Sequence, residues 1–175
     1  MKTERLIPPE VINTVLANIQ RQAHKIVVEL QQQHQPILIA MSLKDDFTVN
    51  ESNVILFAQE GRPPTQQIGE MVNEMLSSKK FDVITFVTEA WMSKTPTIHV
   101  DSAEAAFAAL SAMGRPSEDP ARSEAIIITV YTRHSQQVSF NPILRNPTRL
   151  ELSPFDVVEM LGGNLSIHDS NKVMH

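Results

Sequence analysis

Four carboxylates are the residues of this chain best placed to do chemistry together: Glu89, Glu118, Asp119 and Glu124. Glu89 opens Glu89-Ala90-Trp91-Met92 at the end of an apolar run, and the others lie in or just after Pro116-Ser117-Glu118-Asp119-Pro120-Ala121-Arg122. An oxygen-rich set of this kind suits Mg²⁺ or Mn²⁺, which a hydrolase or nuclease would use to activate water. The same residues also have a structural reading, in which Arg122 neutralises Glu89 or Asp119 and ties the loop to its neighbour. Opposite charges about 4 Å apart attract by up to ~4 kcal/mol at an effective dielectric near ~20, before desolvation is subtracted, which is enough to fix a loop. Trp91 either fills the core or stacks on a flat ligand or on Arg122. Ser117 is able to accept a backbone N–H within the loop, and Asp119 before Pro120 suits the cap of one tight helical turn.

Other chemistries lack their residues. The chain has no cysteine, which removes disulfides, thiolate nucleophiles, zinc fingers and cysteine-held iron–sulfur clusters. It contains no nucleophile elbow, no phosphate-cradling glycine loop and no His-Glu-x-x-His helix. The histidines at positions 24, 34, 99, 134, 168 and 175 form no tight ligand pair, and each reads as a surface or turn residue. Asp45, Asp46 and Glu51 lack the spacing of a calcium loop and read as a solvated turn. A formal net charge of -5 and the absence of a basic run argue against general nucleic-acid binding. Arg133, Arg145 and Arg149 make at most a weak basic patch.

The elements that must position the acidic set follow from hydrophobic period. Phe81–Met92 is apolar on both faces, with Ile84, Phe86, Ala90 and Met92 on one and Phe81, Val83, Val87 and Trp91 on the other, as in a covered central strand. Glu89 among such neighbours needs a cation or hydrogen-bond donors, or else a proton. Glu124–His134 is a second strand rich in β-branched residues. Antiparallel pairing of the two brings Glu89 and Trp91 close to Arg122 and Glu124.

The paired motif, Glu89-Ala90-Trp91-Met92 with Pro116 to Arg122 and then Glu124, resembles the signature of a loosely defined set of uncharacterised small proteins from bacteria, archaea and phages. The resemblance covers the middle third of the chain. It implies that these residues belong together, in a protein of phage or mobile-element type, and brings no activity with it.

Ahead of the motif, Ile12, Val15, Leu16, Ile19, Ala23, Ile26, Val27 and Leu30 recur with a helical period after Pro8-Pro9. Pro36–Leu43 and Val54–Ala58 read as a hairpin with a longish loop. Ile68, Met71, Val72, Met75 and Leu76 mark a second amphipathic helix, closed by Lys79-Lys80. Ser93–Arg115 is too long for a hairpin turn; Asp101 and Glu104 start a short alanine-rich helix within it that ends at Gly114, a lid or an edge covering. After Glu124–His134 come a strand at Gln137–Ile143, a short one at Leu150 and Leu152, and a terminal helix from Ser153-Pro154-Phe155-Asp156 to Gly162-Gly163.

This order predicts one α+β domain over residues 1–164, a mainly antiparallel sheet of five to six strands packed with helices, and a flexible tail over 165–175. The order is similar to that of roadblock- or profilin-like domains. The amino terminus lacks the apolar core of a signal peptide, and no stretch approaches the roughly 20 apolar residues that span a bilayer, so a cytoplasmic protein without a membrane partner is expected. The leading functional expectation is a non-catalytic intracellular binding or regulatory domain that takes a protein partner or a second copy of itself and needs no cofactor. The alternatives are a Mg²⁺- or Mn²⁺-dependent hydrolase built on the acidic set, and a small-molecule sensor with Trp91 in its pocket wall. The candidate site is therefore Glu89, Trp91, Ser117, Glu118, Asp119, Arg122 and Glu124.

Overall fold

The computed structural model describes residues 6–57, 65–92 and 122–158. The Asp101 helix, Ser117, Glu118, Asp119 and the tail over 165–175 lie outside these residues.

The amino-terminal period produces α1, Pro9–His24. Pro9 occupies the first helical turn, where a missing N–H costs nothing, Glu10 sits at the positive end and Arg21 and His24 near the negative end. The apolar stripe Ile12, Leu16, Ile19, Ala23 and Val27 is buried. Full burial of side chains of this size contributes about 1.5–3 kcal/mol each, which is what holds the helix to the sheet. The chain then widens into a π-helical turn, Lys25–Glu29, and leaves it through Gln31 at a positive φ of 49°.

Among the described residues, seven strands form one antiparallel sheet: β1 Ile37–Leu43, β2 Val49–Leu56, β3 Val83–Met92, β4 Ser123–Tyr131, β5 Gln136–Leu144, β6 Arg149–Leu150 and β7 Asp156–Val158. Their spatial order is β2-β1-β3-β4-β5-β6, with β7 also paired to β5. A second helix, α2, spans Thr65–Ser77. The expected α+β architecture is therefore present, with one strand more than anticipated.

The sheet is covered on both faces. On one face α1 packs against Val83 and Val87 of β3, Ile126, Ile128 and Val130 of β4, and Met41 and Leu43 of β1. On the other, Ile68, Val72 and Leu76 of α2 pack on Leu38, Ala40, Ile84, Phe86 and Tyr131. Ile84 and Phe86 thus face opposite to Val83 and Val87, as the alternation requires. Phe81 departs from that expectation. It precedes β3 and joins the α2 side, released from strand alternation.

Two side-chain systems pin these layers. The guanidinium of Arg133 donates to the carbonyls of Leu76 (3.2 Å) and Phe81 (2.8 Å) and pairs with Asp82 at 3.4 Å. It closes the carboxy end of α2, so Arg133 serves the fold instead of joining a basic patch. Across the sheet, Gln20 of α1 donates to Asn141 (2.9 Å) and to the Ser153 carbonyl (2.8 Å). Asn141 donates to the Ile126 carbonyl (3.1 Å) and accepts from the Ser153 N–H (3.0 Å).

Two expectations about strands need correction. The second strand begins at Val49, not Val54, because an edge strand tolerates the exposed polar run Asn50–Asn53. Asp156–Val158, expected to open a terminal helix, pairs with Gln136–Val138 of β5. The Ser153 carbonyl is taken by Gln20 and Ser139, so the local cap signal yields to pairing at an open sheet edge.

Candidate functional site

The β3–β4 register places Trp91 opposite Glu124 and Glu89 opposite Ile126. Glu89, Trp91 and Glu124 accordingly share one face, and antiparallel pairing gathers them as the sequence suggests. Arg122, one residue before β4, lays its guanidinium 4.5 Å from the centre of the Trp91 ring. Trp91 is 39% exposed, so the core-filling reading of this residue is wrong. It sits at the rim with a cation over its face.

The cation beside Glu89 is Arg145, not Arg122. One Glu89 oxygen lies 3.9 Å from the Arg145 guanidinium, and the other accepts the backbone N–H of His34 at 2.9 Å. The same guanidinium holds Glu124 at 2.6 Å. Arg145 reaches both carboxylates because β5 pairs with β4, with Ile143 opposite Glu124, and the chain turns away two residues later. The Glu89 side chain is only 10% exposed. Burial raises its pKa most, and the nearby Glu124 adds to the rise, while the His34 N–H and Arg145 oppose it.

Chemically this is a clamp. Glu89 joins the segment before β1 to the middle of the sheet, and Arg145 joins β3, β4 and the end of β5 through two carboxylates. Among the described residues no group of three or more histidines, aspartates or glutamates is gathered to hold a metal ion. Glu118 and Asp119, which a metal reading requires, lie outside the described residues, as does Ser117.

A second feature lies on the α1 face. Between α1 and the β1–β2 hairpin runs a groove of about 350 Å³. Ile37, Ile39 and Met41 of β1 line it, with Val15, Ile19 and Ile26 of the helical segment and Val49 and Val54 of β2; Asn18, Gln22 and His34 are its polar members. It exists because α1 packs against β1, β3 and β4 and leaves the outer hairpin less covered. Val54 and Leu56 of β2 are 58% and 71% exposed.

His34 corrects a further expectation. It is 3% exposed, not a surface or turn residue, and its Nδ1 lies 2.8 Å from the Gln35 carbonyl. Desolvation holds its pKa below the usual histidine value. Sequence reasoning missed His34 and Arg145. Their sole signals were the His34-Gln35-Pro36 passage into a strand and the placement of Arg145 just past a strand whose register was unknown.

Comparison of the chain with family models, with curated proteins and with solved structures returns no match.

Proposed function

We propose that this chain is a non-catalytic binding domain whose binding surface is the groove between α1 and the β1–β2 hairpin. The observation that supports this most is an apolar groove of about 350 Å³ beside an edge strand with exposed apolar side chains, since small-molecule sites are concave, mainly apolar and typically about 300–1,000 Å³. Glu89 and Glu124, by contrast, are occupied in holding the fold. A regulatory role inside the cell, with a protein partner or a second copy responding to occupancy, is part of this reading.

The test is titration of the full chain with Nile red, an uncharged dye whose emission rises in apolar surroundings. Saturable binding is expected, weakened at least about tenfold in Val54→Asp, a substitution at an exposed position that puts a charge on the groove wall. Equal binding by the variant, or none by wild type, overturns the reading.

One observation favours a second reading. Glu89 and Glu124 stand close enough to share one guanidinium, so a divalent ion that displaced Arg145 would find two carboxylates, and a metal-dependent hydrolase would build on them with Glu118 and Asp119. Mg²⁺ or Mn²⁺ would then raise the unfolding temperature of wild type and leave Glu89→Gln unchanged.

A further inference from the structure

The groove contains a polar group that the fold leaves unused. His34 is buried to 3% exposure and lines the groove. Its Nδ1 faces a carbonyl oxygen at 2.8 Å. A carbonyl only accepts, so Nδ1 carries the proton and Nε2 carries the lone pair. The ring makes no further hydrogen bond among the described residues. A ligand able to donate to that lone pair would gain a hydrogen bond that a purely apolar occupant lacks.

Charge narrows the ligand further. No lysine, arginine, aspartate or glutamate is among the described residues that line the groove. An anion would meet a lone pair with no cation to offset its desolvation, and the Glu89 carboxylate lies just behind, bonded to the His34 backbone. A cation would be stripped of water among Ile26, Ile37 and Ile39 with no carboxylate among the groove's described lining residues. Burial also favours the neutral ring, which keeps Nε2 an acceptor at neutral pH.

We propose that the groove takes a small, uncharged, mainly apolar molecule that presents one hydroxyl or N–H donor to Nε2 of His34. The proposal rests on the reading of the groove as the binding surface and adds what it recognises.

The experiment uses the isotope-labelled full chain and three probes of one shape: para-butylphenol, its methyl ether para-butylanisole, and para-butylbenzoate. Amide resonances locate binding, and the ring-nitrogen resonances of His34 report on the acceptor. The phenol should bind about tenfold tighter than the ether, the worth of one well-placed hydrogen bond. It should also move the Nε2 resonance while leaving Nδ1 in place. In His34→Phe that preference should vanish; should the variant fail to fold, the ring resonances of wild type still decide. Equal affinity for phenol and ether, with shifts on α1 and β1, overturns the donor proposal and leaves the groove standing as a binding surface. Tighter binding of the benzoate also overturns it. Binding of none of the three removes both the groove reading and the proposal.

Discussion

Glu89 is a carboxylate whose charge works against the fold while its oxygens work for it. Burial and Glu124 raise its pKa, so the folded chain holds the proton more tightly than the unfolded one. Its protonation therefore favours folding at low pH, and that contribution is lost as pH rises through the raised folded value. Glu89→Gln keeps an acceptor for the His34 N–H and removes the repulsion with Glu124. Urea unfolding at neutral pH should give it a midpoint equal to or above that of wild type, whereas Glu89→Ala, which strips the His34 N–H of its partner, should cost about 1–3 kcal/mol. Equal destabilisation by both would mean that the charge itself holds the clamp. His34 has the opposite sign. Its pKa is lowered from 6.5, so its contribution is present above that value and is lost as pH falls below it, where the unfolded chain takes up the proton first. Measured in the Glu89→Gln background, stability should fall between pH 7 and about pH 5, and His34→Gln should remove most of that slope. At this scale the sequence revealed that Glu89 needs partners but not which ones, because Arg145 arrives through the β4–β5 register and His34 from a segment far away in the chain.

The elements were legible where period and burial agree. Both helices and the two central strands stand close to their expected positions because their apolar residues have one arrangement that buries them. Failures fall at edges. The polar stretch Asn50–Asn53 looks like a loop until β1 supplies a ladder for it, and Ser153-Pro154-Phe155-Asp156 looks like a helix cap until β5 supplies an open edge. The Gln20–Asn141–Ser153 system was invisible for the same reason, since it joins residues separated by 121 positions. It should be energetically coupled. Asn141→Ala leaves the Gln20 amide short of a partner and the Ile126 carbonyl without this donor, at about 1–3 kcal/mol, and a double-mutant cycle with Gln20→Ala should show a loss clearly smaller than the sum of the single losses. Strict additivity would mean that the two side chains act independently.

At the scale of the fold, α1 and α2, on opposite faces, secure the middle of the sheet among the described residues and leave the β1–β2 hairpin less covered by α1. The groove is a consequence of that offset. No local pattern announces it, because it depends on which strand ends up at the edge and where the helix axis lies over the sheet. No helix among the described residues is long and apolar enough to cross a membrane; Val54 and Leu56 leave apolar surface exposed on β2 beside the groove. The most direct measurement is an amide chemical-shift map of the full chain, recorded with para-butylphenol and separately with Mg²⁺. Shifts along Val15–Ile26, β1 and β2 with the phenol, and none with the ion, are expected of a binding domain. A map that stays silent along the groove and lights up around Glu89 and Glu124 with Mg²⁺ would contradict it and turn attention to metal-dependent hydrolysis.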